Sequence, residues 1–328
     1  MVAESNAAPA GSRAEALWYV GPGKAEIRSE KLGSGAVRVR TLCSGLSRGT
    51  ERLVFRGHVP ESEFGRMGCP HMGGQFPYPV KYGYAAVGRV EDGEWIGRTV
   101  FALHPHQTAF ALPRDALTPV PENVPPARAV LAANMETALN AVWDAAPGPA
   151  DRITVIGAGV VGALTAYLCG RLPGAQVTLV DTDAARGRTA KALNVAFATP
   201  DDAPDDCDVV FHASGQAGGL ATALRIAGME ATVAEMSWYG AGDVAAPLGG
   251  AFHSRRLKLV SSQVGQVAPS HRARWTHRRR LQAALHLLAD PALDALLGAP
   301  TDFHDLPKAL PKIFETKNDG LCPLVRYP

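Results

Sequence analysis

The chain has 328 residues, of which 46% are hydrophobic, and its formal net charge is +2. This length allows two domains with buried cores, and the near-neutral charge gives no general reason to expect nucleic acid or an acidic membrane surface as a partner. Five cysteines without a CxxC pair argue against a disulfide framework and a structural zinc lobe, and they favour the reducing cytoplasm.

The N-terminal segment, residues 1–14, is small and polar without an apolar signal core, and we expect a disordered tail there. No later run is long enough to cross a membrane, so a membrane partner is not expected. From residue 15 to 122 the pattern changes every few residues, with Gly and Pro between short alternating segments. This pattern predicts a compact, mostly β domain with strands near 84–90 and 99–103.

A proline-rich hinge at 119–126 leads through an alanine-rich helical run into a second region, 123–290. Segments typical of strands and helices alternate in this region, and one of them, 207–212, has the apolar character of a buried strand. Such alternation predicts an α/β fold with a doubly wound parallel sheet. After it, the sequence predicts a helix at about 306–315 and a strand near 322–326.

The stretch from Ile153 to Asp181 is the most informative part of the second region. Gly157, Gly159 and Gly162 have the GxGxxG spacing of a dinucleotide-binding loop between a strand and a helix. That spacing gives a tight turn at the first glycine, close approach of the pyrophosphate at the second and close helix packing at the third. Asp181, at the end of the next strand, can accept both ribose hydroxyls and would repel a 2'-phosphate. We therefore expect NAD(H) rather than NADP(H).

The helix after this loop is expected to supply further contacts to the cofactor. Val160, Val161 and Gly162 begin it, and its N-terminal amides and positive dipole end would face the phosphates. The alternative is a glycine-rich turn that only packs tightly in some α/β protein. The run of strand, helix, second strand and acid favours the cofactor site.

Two motifs in the first domain resemble those of the medium-chain dehydrogenase/reductase superfamily, the zinc-type alcohol dehydrogenase-like enzymes. The first reads SGLSRGTE and begins at Ser44, and the second reads GYAAVGRV and begins at Gly83. The resemblance covers nearly the whole chain. It implies a GroES-like catalytic domain at 15–122 that 291–328 completes, a Rossmann NAD-binding domain at 123–290 and an active site in the cleft between them.

In many members of that superfamily, these motifs carry the ligands of a catalytic zinc ion. Here Ser47 stands at the cysteine, Tyr84 at the histidine, Ala85 at the glutamate and Ala133 at the remaining ligand position. Neutral hydroxyls and alanine cannot supply a stable three-ligand site, so we expect no metal at these positions. The tyrosine variant is similar to the branch that includes the bacteriochlorophyllide hydroxyethyl dehydrogenase.

A relocated metal site is an alternative that the sequence leaves open. His104 and His106 lie two residues apart on an expected strand and would then point to the same face. Cys69 and His71 form a similar pair. Because no third ligand with regular spacing accompanies either pair, histidines that line a polar cleft or loop are the simpler interpretation.

Without a metal ion, hydroxyl groups must stabilise and protonate the oxygen of a reduced carbonyl. Ser47 and Tyr84 occupy ligand positions of the family, and Thr50 is one short segment away. We predict Tyr84 as the proton donor to a carbonyl, or the base toward an alcohol, with Ser47 as its polarising partner and Thr50 beside them. The alternative is that these are pocket-lining groups with structural hydrogen bonds.

Arg48, Ser214 and Gly215 are further candidates for cofactor binding. Some members of the family place a basic residue at the position of Arg48 on the pyrophosphate, although a surface salt bridge would also explain it. Ser214 and Gly215 follow the strand predicted at 207–212, at the carboxyl edge that faces the cofactor in open α/β sheets.

Two later segments are weaker candidates. Gln263 and Val264 end the strand expected at 256–264 and would line the nicotinamide through their backbone groups. The basic run between His271 and Arg280 would be an anion site for a phosphorylated or carboxylated substrate, or a solvated helix face.

Together these observations predict a zinc-independent, NAD(H)-dependent oxidoreductase that interconverts a secondary alcohol and a ketone or aldehyde. Two alternatives remain: an NADPH-dependent reductase of activated C=C bonds, and a noncatalytic NAD(H)-binding redox sensor or partner subunit. The resemblance implies a homodimer, with the edge strand near 256–264 as the expected contact, and a small molecule as the substrate.

Overall fold

The computed structural model describes residues 13–33, 37–240, 242–315 and 321–328. The chain divides into two compact units. Unit 1 contains the chain up to Ala133 together with Leu297–Pro328, and unit 2 contains Asn134–Leu296. No helix among the described residues has both the length and the apolar character needed to cross a membrane.

The predicted tail, 1–14, lies outside the described residues except at its last two positions. Arg13 and Ala14 are part of the first strand, where they pair with Lys31 and Glu30. Ala14 is also buried. The prediction of disorder is therefore wrong at these two residues, because strand pairing and burial hold them in place.

Short strands dominate the part of unit 1 that precedes the hinge, in agreement with the expected mostly β domain. Its strands are β1 (Arg13–Gly21), β2 (Lys24–Lys31), β3 (Val37–Gly45), β4 (Gly73–Gly74), β5 (Val80–Lys81), β6 (Ala86–Val90), β7 (Thr99–Ala102), β8 (Ala109–Leu112) and β9 (Thr118–Pro119). Its helices are α1 (Thr50–Arg56), α2 (Phe64–Met67) and α3 (Pro126–Ala129), with 3-10 turns at Glu61–Glu63 and Arg114–Ala116.

Strands and helices alternate through unit 2. The helices are α4 (Ala132–Ala145), whose first two residues fall in unit 1, α5 (Val160–Cys169), α6 (Gly187–Ala192), α7 (Ala217–Ile226), α8 (Ala251–Ser254) and α9 (His277–Leu287). The strands are β10 (Arg152–Ile156), β11 (Gln176–Val180), β12 (Ala196–Ala198), β13 (Cys207–His212), β14 (Ala227–Glu235) and β15 (Lys258–Ser261). Two 3-10 turns lie at Ala184–Arg186 and Pro291–Leu296.

The chain then returns to unit 1 through β16 (Leu297–Asp302), a 3-10 turn at Phe303–Asp305, α10 (Leu306–Glu315) and β17 (Cys322–Arg326). In the larger sheet of unit 1 the strand order is β16-β17-β3-β6-β7-β9, and β8 pairs with β3. A second sheet has the order β2-β1-β5-β4. The strand from the C-terminal part of the chain thus lies inside a sheet built mainly from the N-terminal part.

Unit 2 contains a six-stranded sheet in the order β12-β11-β10-β13-β14-β15, and every pair in it is parallel. Along the central strands, neighbouring side chains lie on opposite faces of the sheet and pack into different hydrophobic cores. Val155 and Phe211 pack with α4 and α5, whereas Ile156 and Val210 pack with α7. Helices cover both faces of the central strands, and the predicted doubly wound sheet is confirmed.

The division between the units lies in the first turn of α4, between Ala133 and Asn134. The sequence indicated a boundary at 122/123, within the proline-rich hinge. In the structure, α3 follows the hinge and contacts β3 and β6 of unit 1. The hinge prolines therefore lie within unit 1 rather than at its edge.

Candidate functional site

The glycine loop of unit 2 connects the end of β10 to the start of α5. Gly157 has a φ of +102°, and a Cβ there would lie 2.6 Å from the backbone nitrogen of Ser214. A Cβ on Gly162 would lie 1.9 Å from the carbonyl oxygen of Gly157. Only glycine fits either position, because one has a left-handed backbone and the other lets α5 pack directly on the loop.

The middle glycine of the loop has different surroundings. A Cβ on Gly159 would meet no atom within 4 Å, and Gly159 is exposed as the N-cap of α5. Val160 and Val161, in the first turn of α5, are half-buried. The first-turn N–H groups of a helix have no partner within the helix, so this open end of α5 suits an anionic group.

The carboxylate of Asp181 lies beside this loop, at the end of β11. One of its oxygens, Oδ2, accepts the N–H of Ala158 at 2.8 Å, and Oδ1 accepts the N–H of Asp183 at 2.9 Å. These bonds fix the orientation of the carboxylate. Each oxygen of an ionised carboxylate has two acceptor positions, so one on each oxygen remains for a hydroxyl.

Ser214 and Gly215 follow β13 at the carboxyl edge of the same sheet. The Ser214 Oγ lies 2.6 Å from Nε2 of His212, and the Nδ1 of His212 lies 2.7 Å from Oε2 of Glu235. Gly215 donates its N–H to Ser237 at 3.0 Å. The sequence identified Ser214 and Gly215 but missed His212 and Glu235, which end two neighbouring strands.

A hydroxyl cluster in unit 1 joins the three predicted catalytic residues. The Tyr84 hydroxyl hydrogen-bonds with the side chains of Ser47 and Thr50. Burial, followed by the negative charge of Glu51, raises the pKa of Tyr84 to about 12, and the two hydrogen bonds offset part of this rise. Tyr84 therefore keeps its proton at neutral pH. Ala85, the next residue along the chain, is buried and brings no polar side chain.

A buried polar network that the sequence did not reveal supports this cluster. Glu51 is fully buried in α1, and its Oε1 accepts the N–H of Ser47 at 2.8 Å. Its Oε2 accepts the Tyr19 hydroxyl at 3.0 Å and lies 2.8 Å from Nε2 of His106. The Nδ1 of His106 is 2.7 Å from Ser44 Oγ. Glu51 stood in the first motif, but its partners come from distant parts of the chain.

Of the two pairs considered as a relocated metal site, the structure brings His71 and His104 into ring contact. The sequence predicted a strand for His104 and His106, and this prediction is wrong. In the structure β7 ends at Ala102, and both histidines lie in the loop that follows. His104 stacks on Phe110 at 4.2 Å, and burial lowers its pKa to about 3. Among the residues that the structure describes, no three His, Cys, Asp or Glu side chains are grouped to hold a metal ion.

The members of the second pair, Cys69 and His71, differ in exposure. Cys69 is half-buried, and burial raises the pKa of its thiol to about 12. His71 is exposed and stacks on His104 with ring centroids 5.7 Å apart.

Arg48 lies in unit 1, in the turn before α1, and is half-buried. Burial raises the pKa of the Cys322 thiol to about 12. The nearby charge of Arg48 acts in the opposite direction and lowers that pKa. Val264, in unit 2, has its carbonyl engaged by the guanidinium of Arg280. Gln263 uses its side-chain oxygen to accept the N–H of Gly265.

The basic run before and within α9 contains one buried residue and several exposed ones. Arg280 is buried and donates to Glu136 at 3.0 Å and to the side chain of Asn140. The arginines at 272, 274, 278 and 279 are exposed. Most of the run is thus a solvated face, and Arg280 anchors it to α4.

No protein-family model matches the sequence, and no curated protein matches it. Solved structures do match. L-idonate 5-dehydrogenase from Escherichia coli K-12 superposes with a TM-score of 0.78 at 14% identity, covering 96% of this chain and 98% of that chain. A short chain alcohol dehydrogenase from E. coli CFT073, complexed with NADH, gives 0.76 at 16% identity, covering 96% and 100%. S. aureus TarJ in complex with NADPH gives 0.75 at 15% identity, covering 97% and 100%.

These similarities extend over almost the full length of each protein. At identities of 14–16% they establish the fold. The chain shares the fold of these solved proteins, and the predicted Rossmann sheet with a GroES-like, mostly β domain is confirmed.

Proposed function

We propose that this protein is a nicotinamide-dependent oxidoreductase that interconverts a secondary alcohol and a ketone or aldehyde, with NAD(H) as its preferred cofactor and without a catalytic zinc ion. The observation that carries the proposal is the glycine loop, with an open helix N-terminus on one side and the oriented carboxylate of Asp181 on the other. Proteins of the same fold have been solved with NADH and with NADPH.

The loop fits a dinucleotide on steric and electrostatic grounds. Open space around Gly159 admits a pyrophosphate next to the backbone, and the first turn of α5 offers N–H donors to it. Asp181 retains acceptor positions for two ribose hydroxyls, and its negative charge opposes a 2'-phosphate. When bound, the nicotinamide supplies or accepts a hydride.

Tyr84, Ser47 and Thr50 would handle the proton in this reaction. With a pKa near 12, Tyr84 holds its proton at neutral pH and can give it to an oxygen that becomes negatively charged. The same hydroxyl would donate the proton in carbonyl reduction and take it back in alcohol oxidation. Ser47 and Thr50 orient the hydroxyl through their hydrogen bonds.

We propose that the reaction needs no zinc ion, because the side chains that stand at the family's zinc-ligand positions are poor zinc donors. A hydroxyl of Ser47, a protonated phenol at Tyr84 and the methyl group of Ala85 do not form a zinc site. Elemental analysis of the purified protein tests this directly. About one zinc ion per chain would contradict it.

The decisive test of the cofactor is a fluorescence titration with NADH and, separately, NADPH. We expect the wild type to bind NADH more tightly than NADPH. Asp181→Asn should weaken NADH binding about tenfold and bring the dissociation constants for NADH and NADPH closer together. Asp183→Asn is the matched control, because Asp183 lies two residues away and caps the next 3-10 turn through Ala185.

The outcomes separate the alternatives. A preference for NADPH in the wild type would favour the reductase of activated C=C bonds. Binding of NADH without hydride transfer to any compound in a broad panel of alcohols and carbonyls would favour the noncatalytic binding protein. If neither cofactor bound, the glycine loop would be structural, and the enzyme proposal would be wrong.

We also propose a homodimer formed through β15. This strand pairs with β14 and forms one edge of the six-stranded sheet, and it is largely exposed, with Leu259 at 37%. An exposed edge strand is a template for pairing with a second copy. Sedimentation equilibrium should give twice the mass of the chain, and Leu259→Lys should shift it toward the monomer.

A further inference from the structure

The loop that follows β15 and the first turn of α9 form a strongly basic stretch in unit 2. Between Leu259 and Ala289 the sequence has five arginines and no Asp, Glu or Lys. The whole chain has a formal net charge of +2, so the rest of it carries a net charge of −3. Four of these arginines are exposed, and we call them the arginine surface: Arg272, Arg274, Arg278 and Arg279.

The charges of the arginine surface have few counter-charges close by. Among the residues that the structure describes, no carboxylate forms an ion pair with Arg272, Arg274 or Arg279. Glu136, which faces α9 from α4, pairs instead with the buried Arg280. The first turn of α9 has no acidic residue, although acids are favoured at the start of a helix. Like charges gathered in this way repel one another, and an anionic partner would relieve that repulsion.

The backbone under the arginine surface is held in place by hydrogen bonds. The N–H of Arg274 donates to the carbonyl of His271 at 3.0 Å. Thr276 caps α9 by accepting the N–H of Arg279 at 3.1 Å. The buried side chain of Arg280 links α9 to α4. A surface whose backbone is already ordered loses less conformational entropy when a partner binds.

Two half-buried tryptophans lie beside these arginines. The ring of Trp143, from α4, stacks on His271 with centroids 4.1 Å apart, and its centroid lies 4.8 Å from that of Trp275. The guanidinium carbon of Arg279 lies 3.9 Å from the centroid of the Trp275 ring. One N–H of this guanidinium donates to the carbonyl of Arg274 at 2.8 Å. The stacked group is therefore fixed in position and has further donors for a carboxylate.

The composition of this surface favours a protein as its partner. Arg and Trp are enriched among the residues that dominate the binding energy of protein interfaces, whereas Lys is depleted at interfaces. The guanidinium fork also binds a carboxylate through two parallel hydrogen bonds. One face of each tryptophan ring is already covered, Trp143 by His271 and Trp275 by Arg279. Less ring surface is therefore left for the stacked bases of a nucleic acid.

We propose that the arginine surface docks an acidic segment of a partner protein. Carboxylates of that segment pair with the exposed arginines, and an apolar side chain of the segment packs beside Trp275. None of these residues belongs to the glycine loop or to the hydroxyl cluster of unit 1. The docking surface and the proposed function can therefore be tested separately.

The test measures the binding of a fluorescein-labelled peptide, in which Asp and Glu flank a central Leu, to the full-length protein. Fluorescence anisotropy is recorded at about 50 mM and about 300 mM salt, where the Debye length is about 14 Å and about 6 Å. We expect the peptide to bind, with an affinity that falls about tenfold at the higher salt. A neutral peptide with Asn and Gln in place of the acids should not bind. Failure of the acidic peptide to bind at the lower salt would overturn the proposal.

Two double variants show whether the peptide binds at the arginine surface. Arg274→Gln with Arg279→Gln should weaken binding about tenfold, which corresponds to about threefold for each exposed ion pair that is lost. Arg225→Gln with Arg256→Gln is the matched control, because it also removes two exposed charges from unit 2, and both of these are already paired with carboxylates. The control should bind the peptide as the wild type does. Equal losses in the two double variants would overturn the proposal, since overall charge alone would then explain the binding.

The apolar contact is tested by a cycle that combines a peptide change with a protein change. Replacing the central Leu of the peptide by Ser should weaken binding to the wild type about fivefold and make no difference to binding by Trp275→Ala. Equal losses in both proteins would overturn the packing beside Trp275. Thermal melting establishes that each variant is folded, and the exposed arginine variants decide the question even if Trp275→Ala does not fold.

Two other polyanions serve as competitors for the same surface. One is an oligothymidylate with the same charge as the peptide, and the other is a vesicle of equal parts phosphatidylcholine and phosphatidylserine. Weaker binding of both than of the peptide would support a protein partner. Tighter binding of either one, lost in the variant with Arg274→Gln and Arg279→Gln, would overturn the proposal in favour of a nucleic acid or a membrane surface.

Discussion

Alanine at two glycines of the same loop should affect different properties, stability at Gly162 and NADH binding at Gly159. At Gly162 the added methyl carbon would lie 1.9 Å from the carbonyl oxygen of Gly157, well inside contact distance. The neighbour is backbone and cannot rotate away, so α5 must move from the loop. Overpacking of this kind costs about 3 kcal/mol, at the upper end of the usual range. For a unit of this size, the melting temperature should fall by about 6–12 °C.

Gly159→Ala is the matched change three residues earlier. The added methyl meets no atom within 4 Å, and the backbone there has a φ of −71° that alanine adopts readily. Loss of stability should stay near 1 kcal/mol, the usual cost of alanine at a helix N-cap. NADH affinity, however, should fall at least tenfold, because the methyl fills the space proposed for the pyrophosphate.

Thermal melting and NADH titration of both variants separate these effects. The reasoning would be refuted if Gly162→Ala melted at the wild-type temperature, since the packing contact would then be unimportant. It would also be refuted if Gly159→Ala bound NADH as tightly as the wild type does.

Two further predictions concern unit 1. Tyr84→Phe should lower kcat about 100-fold with any alcohol or carbonyl substrate and leave NADH affinity unchanged, as expected when a general acid is lost; unchanged turnover would exclude proton transfer by Tyr84. Glu51→Gln should reduce the free energy of unfolding by about 3 kcal/mol in urea titrations, because an amide cannot satisfy the Ser47, Tyr19 and His106 contacts together. The same variant should lower the pKa of Tyr84, measured by phenolate absorbance with Tyr84→Phe as the assignment control, since the Glu51 charge raises it.

Local patterns in the sequence were sufficient to predict several elements of both units. The apolar run 207–212 and the amphipathic segment 306–315 correspond to β13 and α10 with the same bounds. The glycine spacing located the loop between β10 and α5, because Gly157 and Gly162 each answer a requirement of the local backbone. Features of this kind depend on neighbours within a few residues, and so they can be recognised from the sequence alone.

The polar networks depended on contacts that the sequence does not display. Glu51 and His106 are separated by 55 positions, and their pairing depends on how α1 and the loop after β7 come together. His212 and Glu235 each ended a recognisable strand, yet their contact follows from the register between β13 and β14. The histidine pair at 104 and 106 was assigned to a strand, but a loop replaces the strand after Ala102.

The position of β17 has a consequence for the order in which the chain can fold. This strand lies between β16 and β3, and Arg326 pairs with Cys43 across almost the whole sequence. During synthesis, all of unit 2 leaves the ribosome before β17 does, so unit 2 can fold first while residues 43–45 of β3 wait without their partner strand. That end of β3 is a site for pairing with other chains during the interval. Chains truncated before β17 should therefore aggregate more readily than the full chain, through this end of β3.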